Sequence, residues 1–169
     1  MQKSIPILII FLLCSSGLYA QSAGWQWGKR GGSVGSETGA FADERVLDMA
    51  TDPHGNIYVL AVNNPDLAHV DGHLGIGNHD RRTLASWTCD GSFRWMKNFG
   101  GGQGCGAVGI GTDSLGGVYI AGSIYSIPSG PGGEPGYFDT DSVLNYINKT
   151  MYIIKYDTTG IFQWLKMPQ

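Results

Sequence analysis

The chain has 169 residues, of which 15% are charged and 11% aromatic, and its net charge is −3. That balance offers no basic field to attract nucleic acid, and the apolar share is too high for a disordered chain. Glycine stands out at 27 residues, about twice the usual share, and with the aromatics it points to many turns joining short strands, an all-β signature.

In chain order a leader comes first. Lys3 gives a short positive start, residues 5–13 are apolar, and Gly-Leu-Tyr-Ala ends in the small residue Ala20. This is the layout of a secretory signal peptide over residues 1–20, cleaved before Gln21. A membrane anchor needs about 18 or more apolar residues, and a lipid anchor at Cys14 would want a small residue where Leu13 stands. The expected product, residues 21–169, is secreted to the extracellular space or cell surface, with no membrane insertion after cleavage. It is long enough for one ordinary domain. Cys89 and Cys105 remain in it. An exported chain permits their pairing, two free thiols fit as well, and neither sits in a Cys-x-x-Cys or Cys/His setting.

The next element is a short phrase, Trp25-Gln-Trp27-Gly-Lys29, that returns twice. Phe93-Arg-Trp95-Met-Lys97 and Phe162-Gln-Trp164-Leu-Lys166 share its aromatic-x-Trp-x-Lys pattern, with tryptophans 68 and then 69 residues apart. Self-similarity at a fixed period is the mark of repeat architecture. Residues 47–61 align with residues 108–122 at an offset of 61, matching Asp52 to Asp113, Gly55 to Gly116 and Tyr58 to Tyr119. Residues 83–91 align with residues 152–160 at an offset of 69.

Each piece reads as a strand. Leu47, Met49 and Thr51 alternate, and Ile57-Tyr58-Val59 and Val118-Tyr119-Ile120 are β-branched and aromatic runs. Asp52 with Gly55, and Asp113 with Gly116, supply turn chemistry between the first and second strands. Asp90-Gly91 reads as a hairpin dipeptide between the third and fourth. In the fourth strand the aromatic, Trp and Lys share one face. Four antiparallel strands per repeat are the unit of a β-propeller blade.

These residues resemble the seven-bladed type of β-propeller repeat found in secreted bacterial surface proteins. Residues 51–59, 112–120 and 155–164 carry the resemblance, with the Trp-x-Lys ends and their following Gly pairs. Many relatives look like products of type IX secretion, which uses a C-terminal sorting domain that this sequence lacks. The resemblance implies an all-β, partial β-propeller of about two blades plus one extra strand. Residues 25–29 would be an orphan fourth strand, followed by units over residues 30–97 and 98–166, nine strands in all. A ring closes with at least about four blades, so the chain is expected to be the front part of a longer protein, completed by missing blades or by homo-oligomer partners.

Long connections held by a rigid scaffold are where binding residues concentrate. Antiparallel order puts the second-to-third and fourth-to-first connections at one end, and these are the long ones. His69, Asp71, His73, His79 and Asp80 fall within twelve residues there. Imidazole and carboxylate together suit Zn²⁺ or a similar ion, but nothing in the spacing makes them converge, and a Gly-rich solvated loop explains them too. Tyr137, Asp139 and Asp141 form a second loop candidate; an EF-hand-like loop would also need a Gly at its sixth position and a distal Glu. No cofactor is expected.

Catalytic patterns are missing from the sequence. It has no Gly-x-Ser-x-Gly elbow, and nothing selects one carboxylate pair for glycoside chemistry. The expectation is a non-enzymatic propeller segment whose loops bind a protein or glycan at the cell surface. The alternative is part of a propeller hydrolase or lyase with its catalytic residues in absent blades.

Overall fold

In a computed structural model the described residues are 24–32, 44–63, 69–74, 82–100, 106–124, 136–138, 141–143 and 150–168. The leader, Cys105, His79, Asp80 and Asp139 lie outside them. No helix among the described residues is long and apolar enough to cross a membrane.

The described residues form three antiparallel sheets of thirteen strands. The first unit supplies β2 (Arg45–Thr51), β3 (Ile57–Val62), β6 (Arg82–Trp87) and β7 (Phe93–Gly100), each paired with the next. The second supplies β8 (Gly106–Thr112), β9 (Val118–Ile124), β12 (Thr150–Tyr156) and β13 (Phe162–Lys166) in the same order. The first sheet is widened to six strands by β10 (Gly136–Phe138) and β11 (Asp141–Val143), which come from the long connection of the second unit. Tyr137 and Phe138 pair with Gly100 and Phe99. The third sheet is small: β1 (Gly31–Gly32), β4 (His69–Val70) and β5 (His73–Leu74).

The all-β expectation holds, but the count of nine strands is corrected. Residues 25–29 form no strand. A strand needs a neighbour to satisfy its backbone, and here only Gly31 and Gly32 find one, in β4. The additional strands lie inside the long connections, where short segments pair with each other and with the free edge of β7.

Alternation explains the packing. On β3 and β6, Tyr58, Leu60 and Leu84 point to one face and are fully buried. On β9 and β12, Val118, Ile120, Ile154 and Tyr156 do the same. These two sets meet in one core, joined by Phe99, Phe138 and Tyr152. The back of the first sheet therefore rests on the front of the second. β2 and β8 run side by side, with the Ile110 N–H donating to Asp48 Oδ2 at 3.0 Å and the Thr112 hydroxyl to the Thr51 carbonyl at 2.8 Å.

The fourth strand locks the two sheets together. The Trp95 indole N–H donates to the Thr158 carbonyl at 3.0 Å, and its ring lies where a methyl on Gly160 would come within 2.7 Å. Beside it, the Arg94 guanidinium donates to Tyr58 Oη, Ser86 Oγ and the Thr158 carbonyl, at 3.1, 2.9 and 2.6 Å. The fork of five donors on a planar head suits such a junction.

The tight turns occupy the other end of the sheets. Asp52 accepts from the N–H groups of His54 and Asn56, both at 2.9 Å, and from the Tyr58 hydroxyl at 2.8 Å. Asp113 repeats the arrangement with Leu115, Gly117 and Tyr119, and adds Lys155 Nζ at 3.1 Å. Gly55 and Gly116 take φ of 79° and 84°, the left-handed values such a turn needs. Asp157 uses the same pattern toward Thr159 and Ile161. In the first sheet Thr88 stands at that position, and Asp90 caps Ser92 N–H at 3.0 Å. Only Gly91 of the Asp90-Gly91 pair has positive φ, so this is a four-residue turn closed by Gly91 N–H to Thr88 carbonyl, not a two-residue hairpin loop.

These carboxylates set an acid limit. Burial pushes Asp52 up, but hydrogen bonds from Asn56, Tyr58 and His54 outweigh it and hold the group below its ordinary value. Asp113 is held well below, chiefly by the Gly117 N–H and then by Lys155 and Tyr119. A depressed folded-state pKa contributes stability that is complete above the unfolded value, near about 4, and is lost as pH falls through the folded value. The melting temperature should therefore be flat from neutral pH to about 5 and fall below about 4. Asp113→Asn should melt lower at pH 7 and lose less on acidification. An equal acid slope in both proteins would show that this turn does not carry the effect.

Candidate functional site

The strand ends that lead into long connections lie at one end of the two main sheets, as the pairings of Arg45 with Val62, Val62 with Arg82, Arg82 with Phe99, and Thr150 with Ile124 require. Two pieces of chain at this end fold over the front of the first sheet. One is the arm of residues 24–32; the other is the β4–β5 hairpin. The hairpin turns at Asp71-Gly72, with φ of 54° and 82°. Positive φ at both central residues is the type I′ geometry that Asp-Gly favours.

Over residues 69–74 this hairpin stands where a Gly-rich solvated loop was one reading. His69 pairs with Leu74 and Val70 with His73, so His69 and His73 point to opposite faces and do not converge on one ion. His73 stacks on Phe93 with ring centroids 3.7 Å apart. Asp71 bonds Lys29 Nζ at 2.7 Å, and that contact above all holds its carboxyl below the usual range. Among the described residues no group of three His, Cys, Asp or Glu could hold a metal ion. Tyr137 lies on β10, partly exposed. Asp141 opens β11, and its backbone pairs with Phe138.

The arm is tied down at three points. Lys29 bonds Asp71, the Arg30 carbonyl accepts from the Asp71 N–H at 2.8 Å, and the Trp27 indole N–H donates to the Cys89 carbonyl at 3.2 Å. The Trp27 ring covers Gly91, where an added methyl would meet it at 2.8 Å. Between arm, hairpin and sheet lies a groove of about 210 Å³. Trp27, Met49, Val59, Val70 and Trp87 line it, with Lys29 and Arg30 alongside. Trp87 is buried, yet its indole N–H has no hydrogen-bond partner among the described residues. The walls are apolar and aromatic, and among the described lining residues there is no nucleophile beside a base.

No protein-family model matches the chain, and no curated protein matches it either.

Sequence reasoning did not single out Trp87, Met49 or Val59. A signal was available, because Trp87 aligns with Tyr156 at the 69-residue offset. Tyr156 is fully buried between the sheets, while Trp87 faces a groove. An aromatic at a position whose counterpart is a core residue marks a packing face, here the one covered by Val70 of the hairpin.

Proposed function

We propose that this chain is part of a secreted, non-enzymatic β-propeller whose loop-bearing end binds a protein or glycan at the cell surface. The observation that carries this reading is the asymmetry between the two ends of the sheets. One end holds only four-residue turns, saturated by their own Asp, Thr and Gly residues. The other gathers every long connection, with the hairpin, β10 and β11 built from them. Two four-stranded units stacked front to back with their first strands side by side support the propeller part of the reading, since that is how blades follow one another. The leader pattern supports export.

A panel of immobilised cell-surface polysaccharides and surface proteins, probed with the labelled exported chain, tests it. His73→Ala and Tyr137→Ala should reduce binding at nearly unchanged melting temperature, as exposed substitutions usually stay within about 0.5 kcal/mol. Asp113→Asn should lower the melting temperature and leave binding per folded molecule intact. The opposite assignment of effects would move the binding end to the tight turns.

A further inference from the structure

The front of the first sheet is one continuous surface by register. Met49 stands opposite Val59 and Val59 opposite Ala85, with Ile57 opposite Trp87 beside them. Residues directly opposite in antiparallel strands share a face, so all five side chains lie together. The third sheet covers part of this surface, with Val70 packed on Ala85 and Trp87. It does not cover the whole, because β4 and β5 are two residues each, and Met49 remains 58% exposed. What is left is the groove of about 210 Å³, with Met49, Ile57, Val59 and Trp87 on the sheet side and Trp27 on the arm side.

Polar groups gather where the arm crosses the hairpin turn. The Lys29 ammonium is committed to Asp71 at 2.7 Å. Arg30, whose carbonyl accepts from the Asp71 N–H, has an exposed guanidinium with no hydrogen bond or ion pair among the described residues. The Trp87 indole N–H is a third donor. It comes near enough to Asp71 to help hold that carboxyl down, after Lys29, yet it completes no hydrogen bond. Two cations against one carboxylate leave one positive charge beside apolar walls and an unspent N–H. An occupant that fits has an apolar body and a single negative charge at one end. A cation would meet Arg30. A polyhydroxylated ring would lose water against Met49, Ile57 and Val59 without gaining partners. The volume lies below the roughly 300–1,000 Å³ of sites for drug-sized ligands, so one ring or one side chain fills it.

We propose that this groove binds a small apolar carboxylate, its body on Met49, Val59 and Trp87 and its charged end at Arg30, next to the unspent Trp87 N–H. Guanidinium and carboxylate pair through two parallel hydrogen bonds. A carboxylate placed there brings the cluster to neutrality without breaking the Lys29–Asp71 pair. The same chemistry comes from two sources: a free aryl or alkyl acid, and the C-terminal residue of a protein that ends in an apolar side chain. None of these residues is His73 or Tyr137, so this site and the loop-end reading stand or fall separately.

An NMR titration of the isotope-labelled exported chain with phenylpropionate tests this. The Trp87 indole N–H, identified by its loss in Trp87→Phe, and the Met49 and Val59 methyls should shift together. A ligand of this size should reach a Kd of about 1 mM or tighter. Phenylpropanol, which keeps the ring and lacks the charge, should bind about tenfold more weakly. Arg30→Gln should weaken the acid by about the same factor and leave the alcohol unchanged. Met49→Glu should weaken the acid about tenfold from the sheet side, through repulsion and a narrower groove. Both positions are exposed, so both variants should fold. A peptide ending in phenylalanine, set against its C-terminal amide, separates the sources. Acid-selective peptide binding assigns a protein C-terminus, and binding of phenylpropionate alone assigns a small molecule. Groove resonances that stay still at about 10 mM phenylpropionate, well above the expected Kd, overturn the proposal. So does equal binding of acid and alcohol, or acid binding untouched by both Arg30→Gln and Met49→Glu.

Discussion

Trp95→Ala should cost the monomeric chain about 3 kcal/mol, the lower end for truncating a buried Trp because this ring is only half-buried. Trp164→Ala, at the equivalent position of the second unit, should cost a monomer less than about 0.5 kcal/mol. The two residues share sequence context, strand position and a tyrosine neighbour, and differ in what lies on their far side. Trp95 bridges the sheets through Gly160 and the Thr158 carbonyl; Trp164 reaches no third sheet. A cycle with Gly160 isolates the bridge. Gly160 has a φ of 84°, so Gly160→Ala costs about 1–2 kcal/mol for the left-handed backbone and more for the 2.7 Å collision with the ring. In a Trp95→Ala background only the backbone part should remain. Urea denaturation of dilute protein measures all four corners. Equal costs for Trp95 and Trp164, or additive costs for Trp95 and Gly160, would mean that the sheets are not joined where the structure joins them.

The repeated elements were legible in the sequence because their causes are local. Alternation marks β3, β6, β9 and β12, and Asp52 with Gly55 or Asp113 with Gly116 writes its turn within four residues. The same comparison misled at residues 25–29. Resemblance to Phe93-Arg-Trp95-Met-Lys97 suggested a strand, but β7 is a strand because β6 pairs with it, and no described strand pairs with residues 25–29. Their likeness to β7 survives instead in the side-chain contact of Trp27 with Gly91. The hairpin at Asp71-Gly72 was readable from its dipeptide and was masked by the histidines around it. β10 was not readable at all. Three residues show no alternation, and its pairing depends on an edge of β7 that is distant in sequence. The groove was hidden for a related reason. Trp87 looks like a residue of the main core until the fold shows that the small third sheet, and not a four-stranded one, stands in front of it.

Gly122→Ala should be about as damaging as loss of Trp95, although the same position in the first unit already carries alanine. Ala61 pairs across the strands with Thr83, and Gly122 with Tyr152. Thr83 is small and spends its hydroxyl on Asn63 and Asn98, both at 2.9 Å. Tyr152 is 1% exposed, packs on Phe138 at 4.9 Å between centroids, and donates its hydroxyl to the Gly106 carbonyl at 3.2 Å. That bond draws a backbone oxygen and a phenol into the space beside Gly122. An added methyl would lie 2.2 Å from the Gly106 oxygen and 2.4 Å from the Tyr152 hydroxyl. The ring is pinned and the oxygen belongs to β8, so relief requires β8 and β9 to spread. Overpacking of this kind costs about 1–3 kcal/mol, and backbone displacement puts it at the upper end. Tyr152→Phe removes the hydroxyl and unpins the ring but leaves the ring carbon that an added methyl would meet at 2.5 Å, so Gly122→Ala in that background should cost somewhat less but still more than about 1 kcal/mol. Ala61→Gly should cost only about 0.5–1 kcal/mol, the usual penalty of glycine in a strand. Because Tyr152 holds Phe138, and Phe138 stands on β10, the strain should also reach the loop end. Amide exchange at Tyr137 and Phe138 should accelerate in Gly122→Ala and stay unchanged in Ala61→Gly. Unaltered exchange in Gly122→Ala would mean that β10 is held by its pairing with β7 alone.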